Sequence, residues 1–230
     1  EKNIPSYLKD PENKWFGLSK RARTIVFSSD QFTSDDFSTY EDLADPKWKG
    51  KLCLRTSKKV YNRSLIASMI DEYGFDQTKE VVSGWISNLA TEVFSNDTNA
   101  LKAVSSGQCG MTIVNTYYLA RLLDDPQYDN LSLFWANQDD RGVHVNISGA
   151  GIVKSSKNKE NAILLLEYLS SETAQNLYAS ANKEFPVLKS AKAHESIQAW
   201  GDFDEDDINV SKLGSLQKQA VLLAQEAGYK

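Results

Sequence analysis

Residues 110–122 constrain the fold more than any other part of the sequence, because a strand pattern passes into a helix pattern without an intervening loop. The apolar strand pattern ends at Asn115, and the helical pattern begins at once with two adjacent tyrosines, Tyr117 and Tyr118. Open α/β sheets bind ligands at such turns, outside the carboxyl ends of their strands. The start of a helix also favours an anionic group. Two phenolates at this turn would offer hard oxygen ligands to a highly charged cation.

A second segment repeats this design of strand, polar loop, tyrosine and helix. Cys53 precedes Tyr61 by eight positions, and Cys109 precedes Tyr117 by eight positions. If the two strands are parallel neighbours, the cysteines lie level and the tyrosines converge at one edge of the sheet. This coincidence predicts a three-tyrosine cluster and a Cys53–Cys109 disulfide, which requires an oxidising compartment. The alternative is two buried thiols that pack as small apolar side chains.

A purely structural interpretation of the tyrosine pair competes with the ligand interpretation. Adjacent residues at a helix start point about 100° apart, so one ring can pack in the core while the other lies on the surface. Ligation also has to displace the phenolic proton, because an unperturbed tyrosine titrates near pH ~10. A trivalent metal supplies that driving force, and hard iron(III) suits phenolate oxygens. Iron binding should then weaken as the pH falls.

The order of predicted elements and the overall charge limit the remaining possibilities. Strand and helix patterns alternate, which predicts a mostly parallel sheet with helices on its faces. The net charge is −5 over 230 residues, with no basic stripe, which argues against nucleic acid as a partner. The two cysteines and two histidines lack zinc-site spacing, and no catalytic arrangement of Ser, His, Asp or Cys stands out. Residue 1 is Glu rather than Met, so we expect a removed signal peptide or a fragment.

Five strings of this sequence resemble those of periplasmic ferric-iron-binding proteins, the solute-binding components of iron ABC transporters. The strings are Trp-Phe-Gly-Leu-Ser-Lys-Arg-Ala-Arg at 15–23, Leu-Ala-Asp-Pro-Lys-Trp-Lys-Gly at 43–50, Val-Tyr-Asn at 60–62, Asn-Thr-Tyr-Tyr at 115–118 and His-Val-Asn-Ile-Ser-Gly-Ala-Gly at 144–151. The resemblance runs over nearly the whole chain, and the tyrosine pair is its specific part. It implies an α/β type II periplasmic-binding-protein fold, with two lobes joined by crossover strands.

The resemblance also divides the chain between the two lobes. Residues 1–23 and 148–198 correspond to the first lobe, and residues 24–147 and 199–230 correspond to the second. Family members begin with a strand and helices that build most of the first lobe and supply its histidine or tyrosine ligands. That opening is absent from this sequence. We therefore expect an incomplete first lobe and an N-terminally truncated chain.

Site residues follow from the resemblance position by position. Tyr117 and Tyr118 match the iron-coordinating dyad, and Tyr61 matches a third tyrosine of the tyrosine-rich branch. Other positions match contacts to these ligands or to a synergistic anion such as carbonate; they are Arg23, Arg55, Thr56, Asn62 and Asn115. The resemblance implies a periplasmic monomer that binds Fe(III) between its lobes and delivers it to an ABC transporter permease in the inner membrane.

Two alternative functions remain open from the residues. The first is a periplasmic binder of a small oxyanion or an organic solute on the same fold, with the tyrosines stacking on the solute or hydrogen-bonding to it. Metal-free calorimetry with phosphonates or thiamine-like ligands would separate this function from iron binding. The second and more remote alternative is a small transferase enzyme, which would need a perturbed acid or base in the cleft.

Overall fold

A computed structural model describes residues 4–230 of the chain, which contain six strands and eight α-helices in addition to short 3-10 turns. The strands are β1 (Phe16–Ser28), β2 (Leu52–Cys53), β3 (Met111–Asn115), β4 (Leu131–Phe134), β5 (Val145–Ala150) and β6 (Phe185–Pro186). The helices are α1 (Val60–Tyr73), α2 (Phe75–Ser87), α3 (Asp97–Ser105), α4 (Thr116–Leu122), α5 (Lys159–Leu169), α6 (Glu172–Asn182), α7 (Glu195–Gln198) and α8 (Val210–Glu226). Within these residues, no helix combines the length and the apolar character needed to cross a membrane.

Strand β1 takes part in two groups of strands. Its first half pairs antiparallel with β5 and β6, and we call these three strands the outer sheet. Its second half lies between β3 and β4 and pairs antiparallel with both, while β2 joins the far side of β3. We call this second group the tyrosine sheet. The strand changes partners at Arg23, whose backbone N–H donates to the carbonyl of His144 at 2.8 Å.

The expectation of a mostly parallel sheet is wrong, because β2 and β3 form the one parallel strand pair in residues 4–230. The alternation of strand and helix patterns does not by itself specify strand direction. Strand β1 is 13 residues long. A strand of that length can serve four antiparallel partners, and β1 does so. The fold is nevertheless α/β, with helices packed on its sheets.

The principal core lies between the tyrosine sheet and three helices, α1, α2 and α8. Leu65 and Ile66 of α1, Trp85 of α2 and Leu223 of α8 are fully buried in one hydrophobic cluster. Burial of apolar area at about 25 cal/mol per Å² is the main contribution that holds these layers together. Gly74 ends α1 at φ 80°, a left-handed conformation that favours glycine and that the sequence pattern indicates.

A disulfide joins Cys53 of β2 to Cys109, with the two Cα atoms 5.8 Å apart. The two strands are parallel neighbours, which is the condition that the comparison of the two segments assumed, but the cysteines do not lie level. Cys53 stands opposite Thr112, whereas Cys109 precedes the first residue of β3. The disulfide therefore links β2 to the loop that enters β3, and it does so diagonally.

Candidate metal site

The two adjacent tyrosines lie in the first turn of α4, directly after β3 ends at Asn115. Tyr117 is buried and Tyr118 is partly exposed. Their ring centroids are 4.3 Å apart, with the ring planes inclined by 34°. The two rings are therefore in contact with each other, rather than one lying in the core and the other on the opposite surface of the helix.

Tyr61 reaches the same place from another helix. It lies in the first turn of α1, one residue after Val60. The hydroxyl of Tyr117 donates to the hydroxyl of Tyr61 at 3.3 Å. The parallel pairing of β2 with β3 directs both connections toward the same edge of the sheet. The structure thus brings all three tyrosines into one cluster, built from two separate elements.

The environment of Tyr117 favours the neutral phenol. Burial raises the pKa of Tyr117, and the neighbouring hydroxyls of Tyr118 and Tyr61 raise it further. The amide of Asn115 acts in the opposite direction by donating to the Tyr117 hydroxyl at 3.5 Å. A cation that binds here as a phenolate complex must therefore displace a tightly held proton.

Two buried arginines lie behind the ring of Tyr61. The guanidinium carbon of Arg55 is 4.9 Å from the Tyr61 ring centroid, and that of Arg23 is 5.8 Å away. Both guanidinium groups donate to the carboxylate of Asp97, Arg23 at 2.8 Å and Arg55 at 2.7 Å. Asp97 is completely buried. Two positive charges and one negative charge leave a net positive charge beside the tyrosine cluster.

The two asparagines that the resemblance implies both belong to this arrangement. The side-chain oxygen of Asn62 accepts from Arg23 Nε at 2.8 Å, and that of Asn115 accepts from Arg23 Nη1 at 3.3 Å. Asn115 therefore connects Arg23 to the hydroxyl of Tyr117. Arg23 is thus hydrogen-bonded to both amides, and through Asn115 it is connected to Tyr117 of the dyad.

Thr56 does not join this network. Its backbone N–H donates to the carbonyl of Phe94 at 2.7 Å, and its hydroxyl accepts from the backbone of Lys58. The side chain thus stabilises the turn that leads into α1. The expected role of Thr56 beside the ligands or an anion stays a prediction.

Three residues of the site escaped the sequence analysis. They are Asp97, Arg121 and Tyr229. Asp97 is the first residue of α3, and Tyr229 follows α8. The guanidinium carbon of Arg121 is 5.0 Å from the Tyr117 ring centroid. A signal existed only for Arg121, which lies four residues after Tyr117 and hence on the same face of α4. In residues 4–230, no group of three His, Cys, Asp or Glu side chains could hold a metal, so a metal site here would depend on phenol oxygens.

Comparison with known proteins shows the family that this chain resembles. Residues 2–204 match the bacterial extracellular solute-binding protein family. The whole chain is 42% identical to iron uptake protein A1 of Synechocystis, although it spans only 66% of that relative's length.

Solved structures agree closely with the fold. A Trichodesmium protein (IdiA, FutA), solved in complex with iron and citrate ligands, superposes on the whole chain with a TM-score of 0.97 and 42% identity. Ferric iron-binding protein A of Mannheimia haemolytica, in an open conformation, superposes on 99% of the chain with a TM-score of 0.93 and 38% identity. The chain covers 74% and 73% of these two proteins, respectively. The fold is thus that of the ferric-binding periplasmic proteins, of which this chain contains about three quarters.

Proposed function

This chain belongs to the family of bacterial extracellular solute-binding proteins, and we propose that it binds ferric iron through the phenolate oxygens of Tyr61, Tyr117 and Tyr118. The observation that carries the proposal is the 3.3 Å contact between the hydroxyls of Tyr61 and Tyr117, which come from different helices. Packing alone does not require two phenol oxygens to meet. Three hard oxygen donors at one place match the preference of a trivalent metal.

Iron binding at this site is coupled to proton release. The raised pKa of Tyr117 means that the metal-free protein holds the phenol in its neutral form. Each phenol that becomes a ligand releases one proton, so iron affinity falls as the pH is lowered. The net positive charge of Arg23, Arg55 and Asp97 lies beside the ring of Tyr61.

An anion completes the site alongside the metal. Arg23 Nη2 and Arg55 Nε are buried, and neither has a hydrogen-bond partner among the described residues. Unsatisfied donors of this kind are costly in a folded protein and favour an oxyanion nearby. Carbonate has the size and charge to occupy such a position. The citrate that accompanies iron in the Trichodesmium relative is consistent with an anion next to the metal.

The protein is a carrier and not an enzyme. It captures iron in the cleft between the two lobes that the resemblance assigns to the sequence, residues 1–23 with 148–198 and residues 24–147 with 199–230. A hinge motion of the crossover strands β1 and β5 closes the cleft. The carrier is a monomer of the periplasm, and it delivers the iron to an ABC transporter permease. The names of the relatives describe uptake and binding of iron, which supports this role.

Titration of Fe(III) into the metal-free protein tests the proposal. Binding should produce a visible phenolate-to-iron charge-transfer band, and this band should weaken when the pH is lowered. Tyr61→Phe and Tyr118→Phe should each reduce the intensity of the band and the iron affinity, since each removes one ligand oxygen.

Tyr128→Phe provides the matched control, because Tyr128 is a buried tyrosine of the turn Pro126–Tyr128, beyond the end of α4, and is not one of the proposed ligands. It should leave the band unchanged. Iron binding of full intensity in both Tyr61→Phe and Tyr118→Phe would refute the proposed ligand set, and the absence of any band in the wild-type protein would refute iron binding.

A further inference from the structure

Tyr229 is buried beneath the segment that connects β2 to α1, although it follows the last helix of the chain. Its backbone carbonyl accepts from the hydroxyl of Ser57 at 2.9 Å, and the next carbonyl, of Lys230, accepts from the backbone N–H of Ser57 at 2.8 Å. The backbone N–H of Tyr229 donates to the carbonyl of Ala224 at 2.8 Å. Residues 229 and 230 are therefore fixed between α8 and the approach to α1.

The hydroxyl of Tyr229 connects two residues that lie next to the tyrosine cluster. It donates to the backbone carbonyl of Arg55 at 2.6 Å and accepts from the side-chain amide of Asn62. Burial raises the pKa of Tyr229, so the hydroxyl keeps the proton that it donates. Both hydrogen bonds are buried, and each of them has its partner in the polypeptide rather than in solvent.

These two hydrogen bonds complete a hydrogen-bond network beside the ring of Tyr61. Asn62 accepts from Arg23 Nε through its oxygen while its nitrogen donates to Tyr229. Arg55 is held at its carbonyl by Tyr229 and at its guanidinium by Asp97. The guanidinium groups of Arg23 and Arg55 are the ones that lie against the Tyr61 ring. The hydroxyl of Tyr229 thus bonds to Arg55 directly and is connected to Arg23 through Asn62, the residue that follows Tyr61.

We propose that Tyr229 is a positioning residue for iron binding, and that it acts by fixing Tyr61 through Asn62 and Arg55. The inference rests on the proposed function, because it assigns Tyr61 the role of an iron ligand. Tyr229 does not itself contact the metal. Loss of its hydroxyl leaves the carbonyl oxygen of Arg55 and the side-chain nitrogen of Asn62 buried without the partner that Tyr229 provides. The first turn of α1 then becomes less ordered, and the phenol oxygen is held less accurately for the metal.

The Tyr229→Phe variant of the full chain tests this role. Phenylalanine fills the same space and removes only the hydroxyl, so the far-ultraviolet circular dichroism should not change. We expect Fe(III) affinity to fall about three- to tenfold, the range that loss of one or two buried hydrogen bonds produces. The phenolate-to-iron band should shift or weaken as well, a change that mere destabilisation would not produce.

Tyr178→Phe is the matched control. The hydroxyl of Tyr178 also donates to backbone carbonyls, those of Leu18 and Leu169, at 2.6 and 2.7 Å, but it does so beside the outer sheet. This variant should lose stability and retain both the iron affinity and the band. Equal losses of iron affinity in the Tyr229 and Tyr178 variants would overturn the positioning role.

Asn62→Ala gives a second test, both alone and combined with Tyr229→Phe in a double-mutant cycle; the single Asn62→Ala variant also serves if Tyr229→Phe does not fold. Asn62→Ala removes the other partner of the Tyr229–Asn62 hydrogen bond, so it should weaken iron binding too. The double variant should bind iron little worse than either single variant. Independent, multiplying effects would overturn the proposal.

Nuclear magnetic resonance of the metal-free protein separates this inference from the proposed function. The ring resonances of Tyr61 should move in Tyr229→Phe and stay in place in Tyr178→Phe, whether or not iron binds. Movement without iron binding in the wild type would mean that the proposed function fails while the positioning role stands. Iron binding without any effect of Tyr229→Phe would mean that the proposed function stands and the positioning role fails.

Discussion

Helices α1 and α5 are of similar length but differ sharply in burial. Eight of the 14 residues of α1 are buried against the core of the tyrosine sheet, whereas none of the 11 residues of α5, which lies with the outer sheet, is buried. The apolar side chains of Ile163, Leu164 and Leu165 in α5 are 47%, 62% and 56% exposed. The two helices show that apolar composition does not by itself produce a core.

The difference separates a part of the molecule whose sheet is covered by buried helices from a part whose helix leaves apolar side chains exposed. The tyrosine sheet is covered by α1, α2 and α8, all within the described residues, and it carries the whole tyrosine cluster. The relatives are longer than this chain, which covers 66% of one and 74% of another. Exposed apolar area of this kind is unusual in a monomer. Stability and the candidate site should therefore reside in the tyrosine sheet.

The largest test of this contrast is removal of the disulfide. The bond spans a sequence separation of 56 residues, and a loop of that size gives a chain-entropy contribution of about 4 kcal/mol. Urea unfolding of Cys53→Ala/Cys109→Ala should show a loss of about that size relative to the oxidised wild type. Amide exchange should accelerate in α1 and β3 and change little in α5. Equal acceleration in α5 would show that the two parts unfold as one unit.

A pair of leucines tests the difference in burial directly. Leu65 of α1 is fully buried, while Leu165 of α5 is 56% exposed. Leu65→Ala should lower the free energy of unfolding by about 3 kcal/mol, because it removes buried methyl groups and leaves a cavity. Leu165→Ala should change it by less than about 0.5 kcal/mol. Similar losses for the two variants would mean that α5 is packed in solution, for example against a second copy.

The pH dependence of stability probes the junction between the two parts, where His144 is buried. Burial lowers the pKa of His144 to about 3, with the positive charges of Arg141 and Arg23 acting in the same direction. The unfolded histidine titrates near ~6.5, so the unfolded state binds more protons than the folded state below that pH. Stability should fall as the pH drops from 6.5 toward 3, by about 2 kcal/mol at pH 5.

Urea unfolding at several pH values would measure this slope. His144→Gln should flatten it. Ser64→Ala removes only the side chain that lies 2.9 Å from His144 Nε2 and should retain it. A slope that persists in His144→Gln would assign the acid sensitivity to other groups.

The smallest effects concern helix caps in the two parts. The side chain of Asn96 accepts from the backbone of Asn99 at 2.8 Å and caps α3, while Ser171 accepts from Ala174 at 3.4 Å and caps α6. Asn96→Ala should cost about 1 kcal/mol and Ser171→Ala about 0.5 kcal/mol, since the second hydrogen bond is longer. Thermal unfolding would measure both losses. A larger loss for Ser171→Ala would contradict the assignment of most of the stability to the tyrosine sheet.

Local patterns in the sequence predicted the tyrosine cluster on one condition. The repeated design of strand, polar loop and tyrosine brings Tyr61 to Tyr117 if β2 and β3 are parallel neighbours, because such strands end at the same edge, and the structure has both the pairing and the contact. The direction of β1 was not predictable in this way. Pairing of its two halves with different strands depends on contacts far apart in sequence.

The charges and hydrogen bonds behind the tyrosine cluster could not be predicted from the sequence, for a related reason. Asp97 at the start of a helix looks like any capping acid, and only the folded chain places two arginines on its carboxylate. Tyr229 follows Tyr61 by 168 positions, and no periodicity connects them. Residues that bind each other across such separations are visible only when the tertiary structure is known.

The position of β1 in both groups of strands also has a consequence for the order of folding. Its second half pairs with β3 and β4, which end by residue 134, whereas its first half pairs with β5 and β6, up to residue 186. Contacts between residues far apart in sequence close larger loops and form more slowly. Tyr229 reaches Arg55 and Asn62 across sequence separations of 174 and 167 residues. We therefore expect the surroundings of Tyr61 to be completed late in folding, after the tyrosine sheet has formed.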